Sequence, residues 1–326
     1  MTADQRTPGL AEVARRGGVS IATASRVLSG RGPASAASRD AVRRAATDLG
    51  YVPHPVARRL AQREGTRIMF AVRDRRTDIL RDPFVTRAAA AIASAAESEG
   101  LGVSLRRLPL DAAAELDLIA ADRSVAAVVL AGHDRPTLER LPPSLRGRTA
   151  AIGTGGADVD SADVDSAAGI GALLNHLHAS GRRRIALVGG PPWLAAARAP
   201  LHAYTELMRA TGLPVRVVPG DFTATRGRTA ARIVLRRWPD TDAIATVSDA
   251  TALGVLQALG AAGVRVPHDI AVTGFDDIPL SAVTHPALST ATHPVELIAM
   301  AATRTALGAP QRGRLFPSRP VLRATA

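Results

Sequence analysis

The chain has 326 residues, 46% hydrophobic and only 3% aromatic, and its formal net charge of +12 comes from arginine alone, since it contains no lysine. The absence of cysteine excludes disulfides and thiolate metal sites, and no apolar run approaches the roughly 18 residues of a membrane span. The length suits two or three domains, the polar N-terminus shows no signal-peptide pattern and predicts a cytoplasmic protein, and the scarcity of aromatics argues against single-strand nucleic-acid binding.

Residues 10–33 read as a helix, a glycine turn and a second helix. Leu10, Val13 and Ala14 share one face of the first helix, and Gly17 and Gly18 end it. Ser20 is placed to cap the second, since its hydroxyl can accept from an amide one turn in. Ala24, Val27 and Leu28 give that helix an inner face and leave Ile21, Ala22, Ser25 and Arg26 pointing elsewhere. A short helix that packs on one side and offers Arg, Ser and small residues on the other suits a recognition helix in the DNA major groove. Ser35 is expected to cap a third helix through about Leu49, with Val42 (or Ala41), Ala45, Ala46 and Leu49 inward, and Arg39, Arg43 and Arg44 outward. Tyr51 and Pro53 are expected to end it. Arginine is concentrated between residues 15 and 76, as suits a phosphate backbone.

The segments GVSIATASRVLSGRGPAS and LGYVPHPVARRLAQR resemble the DNA-binding headpiece and hinge of the lactose-repressor (LacI/GalR) family of bacterial transcription regulators. The resemblance continues to the C-terminus. It implies that Ser20 to Arg26 enter the major groove, with Ile21, Ala22 and Arg26 at base edges and Thr23, Ser25 and Ser35 on phosphates; Arg39 joins the DNA-facing set. Gly9 stands where the family usually has a Thr cap, and Ala24 where it usually has Val. Residues 54–63 are too short for a stable isolated helix. The resemblance makes them a hinge helix that folds on DNA, packs against its twin through Val56 and Ala57, and wedges Leu60 into the minor groove.

From residue 66 onward short apolar runs alternate with Ala-rich helical stretches. The runs are Ile68–Val72, Val103–Leu105, Ala126–Leu130, Ala150–Ile152, Ile185–Val188, Val215–Val218, Ala243–Val247 and Ile270–Thr273. The helices fall at about 84–99, 111–122, 166–180, 196–211, 224–237, 250–262 and 295–307. This alternation predicts parallel sheets with helices on both faces, and the length predicts two lobes. The expected fold class is thus an all-α helix-turn-helix headpiece followed by an α/β core. The resemblance makes that core periplasmic-binding-protein-like, with the lobes exchanging strands near Asp165, Thr292 and Pro317. The expected domains are a headpiece at 1–53, a hinge and linker at 54–65, and a core at 66–326. Within the core, one lobe takes about 66–164 and 293–317, the other 165–292 and 318–326.

Ligands of open α/β sheets sit beyond the carboxyl ends of the strands. Asp276, Asp277, Ser248, Asp249, Arg198, Phe222 and Phe84 all follow apolar runs. Family effector contacts map onto Phe84, Arg198, Phe222, Ser248 and Asp276, a set that suits a sugar or polar ring. Four features depart from the family: Ser248 replaces a frequent Asn, the loop Arg73–Asp82 is long and charged, Gly153–Gly156 replaces a segment that often carries a polar contact, and Trp193 enters a loop of usually small polar residues.

The sequence therefore predicts a homodimeric repressor whose partners are double-stranded operator DNA and a small-molecule effector, a sugar or related metabolite, with no cofactor, metal or membrane. No heptad repeat follows Pro317–Arg323, which favours a dimer over a tetramer. An enzyme is the weaker alternative: Asp276 and Asp277 are adjacent and rarely converge on one substrate, and His176 and His178 fall on different helix faces. A sugar-binding transport protein would share the core but need a signal peptide and have no use for residues 1–63.

Overall fold

Helices α1 (Leu10–Arg16), α2 (Ile21–Ser29) and α3 (Ala36–Asp48) form the first of two structural units, Met1–Thr66, in a computed structural model that describes residues 9–29, 33–51, 65–309 and 313–326. The turn after α1 depends on Gly18, whose φ of +63° lies in the left-handed region that L side chains rarely adopt. The Gly18 N–H bonds the Arg15 carbonyl and the Val19 N–H the Ala14 carbonyl, so the helix end is satisfied as the chain reverses. Ser20 Oγ accepts from the Thr23 N–H at 3.2 Å and starts α2. Ser35 does the same for α3 through Ser38. Gly9 offers α1 no side-chain cap. Val13, Ala14, Ala24, Val27, Val42, Ala45 and Ala46 close the core of this unit.

The second unit, Arg67–Ala326, alternates strand and helix. Its first half runs β1 (Arg67–Arg73), α4 (Pro83–Ser98), β2 (Gly102–Leu108), α5 (Ala113–Ala121), β3 (Val125–Ala131), α6 (Arg135–Glu139), α7 (Pro143–Arg146), β4 (Thr149–Ile152) and β5 (Ser161–Val164). Then follow α8 (Ser166–Ala179), β6 (Ile185–Val188), α9 (Arg198–Ala210), β7 (Val217–Val218), α10 (Ala224–Arg237), β8 (Ala243–Thr246), α11 (Asp249–Ala261), β9 (Ala271–Thr273) and α12 (Pro279–Val283). The last elements are β10 (Thr290–Ala291), α13 (Val295–Ala306), β11 (Arg314–Phe316) and β12 (Pro320–Val321).

One parallel sheet has the order β2-β1-β3-β4-β5-β11, a second β7-β6-β8-β9, and β10 pairs antiparallel with β12. Both faces of each sheet are covered, as parallel sheets require. Along β1, Ile68, Phe70 and Val72 enter one apolar cluster, and Met69 and Ala71 the other. Along β6, Ile185 and Leu187 alternate with Ala186 and Val188 in the same way. Among the described residues the chain passes between the sheets three times: from β5 into α8, from β10 into α13, which packs on α4, and from β11 into β12.

Some elements differ from their sequence patterns. Only Val217–Val218 of the apolar run at 215–218 pairs as a strand. Val215 is exposed, and the Arg216 guanidinium is committed to Asp240 by two bonds of 2.9 and 2.8 Å. The helix expected at 196–211 divides into a 3₁₀ turn, Ala195–Ala197, and α9. The short strands β5, β10, β11 and β12 carry no apolar run, because each needs only two to four residues at a crossing or sheet edge. Pro53 lies outside the described residues.

Candidate functional site

In the helical unit, Ile21, Ala22, Ser25 and Arg26 form the outer face of α2, and Ile21 is 56% exposed although it is apolar. Thr23 is half-buried beside the Ser20 cap, their hydroxyls 2.9 Å apart. Arg26 Nε lies 3.2 Å from the Ala22 carbonyl, which lays its side chain back along the helix. Ser35 is exposed and bonded to Ser38, and exposed Arg39 reaches the Ala34 carbonyl at 2.9 Å. Val56, Ala57 and Leu60 lie outside the described residues.

In the α/β unit, a cavity of about 420 Å³ opens where the carboxyl ends of both large sheets meet. Phe84, Phe222, Ser248 and Asp276 line it together. Phe222 (φ +66°) and Asp276 (φ +118°) adopt left-handed backbone although neither is glycine. The Asp276 N–H bonds the Ala291 carbonyl at 2.9 Å, and its carboxylate faces His293 Nδ1 at 2.8 Å. Phe84 stacks on the His293 ring, with centroids 5.6 Å apart. Arg87 holds Glu296 with two bonds and reaches the His293 carbonyl at 3.3 Å, so α4 and α13 fix this corner from behind. Ser248 caps α11: its hydroxyl accepts from the Thr251 N–H at 3.2 Å and lies 2.8 Å from the Thr251 hydroxyl.

Arg198 does not join this group. It opens α9 with its side chain exposed, while Ala197, Ala199 and Pro200 form that part of the wall. The expectation of a cleft-facing Arg198 is corrected accordingly: the small side chains bring the α9 backbone to the cavity, and the guanidinium keeps its hydration outside.

Arg73 at the end of β1 and Arg76 in the loop that follows are each held by aspartates. Arg73 is 6% exposed; it holds Asp134 at 2.7 Å and the Leu110 carbonyl at 2.9 Å, and its guanidinium lies 5.9 Å from the Trp193 ring centroid. Arg76 contacts Asp74 at 3.4 Å and Asp82 at 3.0 Å, and Asp82 also caps α4 through the Phe84 N–H. Thr154, in the glycine segment after β4, lines the cavity with its carbonyl 2.6 Å from His133 Nε2. Burial pushes the His133 imidazole below its usual range and keeps it neutral.

Behind the wall, Asp249 is fully buried and accepts from the Ser281 hydroxyl at 2.6 Å, the Thr290 hydroxyl at 2.5 Å and the Ile278 N–H at 2.9 Å. Burial first, and the Asp276 charge second, push its carboxyl up to about 7. A Cβ at Gly274 would stand 2.1 Å from Asp249 Oδ1, so only glycine admits this carboxylate beneath the Asp276 loop. Sequence reasoning missed His293, Asp163 and Phe275 as lining residues. Positional clues were present: His293 and Asp163 lie beside the expected lobe crossings at Thr292 and Asp165, and Phe275 follows the apolar run that ends at Thr273.

A family model for bacterial regulatory proteins of the lacI family matches residues 9–54, and one for a periplasmic binding protein-like domain matches residues 174–325. The chain is 32% identical over 305 residues to the HTH-type transcriptional regulator CelR of Thermobifida fusca, covering 90% of this chain and 89% of that protein. A structure of the lac repressor dimer bound to operator and the anti-inducer ONPF matches with a TM-score of 0.83 at 24% identity, over 98% of this chain and 99% of that one. A CelR–cellobiose complex matches with a TM-score of 0.67 at 26% identity, over 98% and 100%. No helix among the described residues is long and apolar enough to cross a membrane. The chain belongs to the LacI family of bacterial regulatory proteins: it is a transcriptional regulator with a helix-turn-helix unit ahead of a periplasmic-binding-protein-like core.

Proposed function

We propose that the protein is a cytoplasmic, homodimeric repressor that binds a near-palindromic operator and releases or holds it according to a sugar-like molecule in the cleft. Helix α2 enters the major groove, with Ile21, Ala22 and Arg26 at base edges and Thr23, Ser25 and Ser35 on phosphates, while Ser20 and Arg39 stand close to the backbone. Residues 54–63 act as the hinge, with Val56 and Ala57 at the dimer axis and Leu60 as the minor-groove wedge. The headpiece ends at about residue 53, and the lobes of the core divide near Asp165, Thr292 and Pro317. The chemistry is binding rather than catalysis in this reading, which the naming of the relatives as transcriptional regulators supports; Asp277, paired with Arg323 at 2.6 Å, does not converge with Asp276 on one ligand atom.

The observation that carries the effector reading is the placement of Phe222 and Asp276, both in left-handed backbone, in the wall of one cavity. Each such residue costs about 1–3 kcal/mol, and costs of this kind collect at ligand clamps. The relative solved with cellobiose supports a saccharide-like ligand. Enrichment of random duplexes on the full-length protein should return a two-fold symmetric consensus. Asp276→Asn should then retain operator binding and lose its response to whichever sugar or nucleoside shifts the wild type. A sequence pool with no consensus sinks the operator reading. A normal response in Asp276→Asn sinks the assignment of the cleft.

A further inference from the structure

Every carboxylate in the cleft wall except one has a structural task. Asp74 and Asp82 hold Arg76, and Asp82 also caps α4. Asp165 caps α8 through the Ala168 N–H, and Asp276 holds His293. Asp163 neither caps a helix nor pairs with a cation among the described residues. Its Oδ1 accepts from the N–H of the next residue, Val164, at 2.8 Å. It lies on β5 between buried Ala162 and Val164, so strand alternation turns it away from the apolar cluster that those two enter. A partly desolvated carboxylate is a cost to folding, and among the described residues only the Val164 N–H and the nearby His293 ring offset it, with no ion pair.

The cations of the wall are already committed. Arg73 is taken by Asp134 and by backbone carbonyls, and Arg76 by two aspartates; the neutral Ser248 hydroxyl is likewise engaged, by Thr251. The cleft therefore offers a ligand acceptor oxygens from Asp163 and Asp276, with the faces of Phe84, Phe222 and Phe275 between them. A phosphate or carboxylate would find no free guanidinium there. A hydroxyl would find charged acceptors, which make the stronger hydrogen bonds.

We propose that Asp163 is a second polar anchor of the cleft, acting on the same ligand as Asp276, and that the two carboxylates select an uncharged, hydroxyl-rich molecule and reject its phosphorylated or carboxylated forms. The proposal rests on the effector reading of the cleft. The titration behaviour of Asp163 agrees with it: burial pushes the carboxyl above its usual range, Asp165 adds to the rise, and the Val164 N–H and His293 oppose it.

Asp163→Asn keeps the shape and the Val164 bond and removes the charge. In the full-length protein without ligand it should raise the melting temperature of the core at about pH 8, because an unpaired charge is relieved. A lowered melting temperature would make Asp163 a structural residue and overturn the proposal. Calorimetry then compares glucose with glucose 6-phosphate, ribose with ribose 5-phosphate, adenosine with its 5′-monophosphate, and cellobiose with cellobionic acid. A neutral member should bind roughly tenfold or more tighter than its anionic counterpart, and Asp163→Asn should weaken that neutral member by a similar factor. An anionic member binding as tightly as its parent, or an unchanged neutral affinity in Asp163→Asn, overturns the proposal and leaves the effector reading standing. If no probe binds the wild type while Asp276→Asn still melts as the wild type does, the effector reading itself falls and takes the proposal with it.

Discussion

Valines are the largest buried side chains of the helical unit, whereas the α/β unit buries Phe70, Ile92, Leu130 and Tyr204. The first unit closes over a few small residues, and a core of that size leaves little stability to give away. Its described candidate functional residues on α2 and α3 are mostly exposed side chains, with Thr23 half-buried beside the Ser20 cap. The α/β unit can carry unfavourable groups, and it does. Asp249 is fully buried, Phe222 and Asp276 are held in left-handed backbone, and Asp163 makes no ion pair among the described residues. The contrast suggests that a small DNA-reading unit displays its chemistry, while a large ligand-binding unit can store strain and desolvation in its site.

The largest expected effect concerns Asp249. Its carboxyl rises from an ordinary 3.8 to about 7 in the folded core, so the folded state holds this proton over a range in which the unfolded chain has released it. The contribution is complete below about pH 4 and is lost as the pH rises to about 7. At about 1.4 kcal/mol per pKa unit the whole effect is a few kcal/mol at most. Asp249→Asn preserves an acceptor for Ile278 and gives the Thr290 hydroxyl a donor. The variant should match the wild type below about pH 4, already melt somewhat higher at about pH 5, and show its full advantage at about pH 8. A stability gap that is flat with pH would show that Asp249 is charged throughout, and that the core carries no such cost.

The parallel α/β alternation and the three helices were legible because their signals are local. Apolar runs of β1, β3, β6 and β8 fill both faces of a sheet, and Ser20, Ser35 and glycine mark helix ends. The two strands that end the first sheet, Ser161–Val164 and the edge strand Arg314–Phe316, were not legible, since they follow no apolar pattern and exist only because neighbouring strands supply their partners. In the cleft, position after a strand nominated Phe84, Phe222, Ser248 and Asp276 together with residues that do not line it, and the family resemblance narrowed the set. His293 and Asp163 could not be assigned roles, because these depend on a ring stacked across from α4 and on the absence of an ion pair among the described residues. The spent state of Arg73 and Arg76 is equally a tertiary fact: Asp134 lies 61 positions beyond Arg73.

Arg26→Ala sharpens the comparison on the helical side with a smaller effect. Because the side chain lies on the exposed face of α2, its removal should leave the melting of both units unchanged. Operator affinity should fall by about 1–3 kcal/mol, with much less loss on random DNA. Titrations at one fixed salt concentration on both duplexes separate base reading from phosphate contact, since phosphate contacts weaken all sequences alike. An equal loss on both would move Arg26 to the backbone.

The last test asks whether the two units lose stability separately. Val42 and Val129 are each 0% exposed, one in the helical core and one in β3. Truncation of either to alanine removes two buried methyl-sized groups, about 2 kcal/mol once the cavity is counted. In the helical unit that is a large share of the total, so Val42→Ala should populate an unfolded headpiece and weaken operator binding. Ligand-induced stabilisation of the α/β unit should stay at the wild-type value. Val129→Ala should lower the core melting temperature and, well below that temperature, leave operator affinity unchanged. Two-transition calorimetry with matched operator titrations reads both. Equal weakening of operator binding by the two variants would mean that the small unit draws its stability from the large one, and the contrast between displayed and stored chemistry would then have to be drawn within a single cooperative fold.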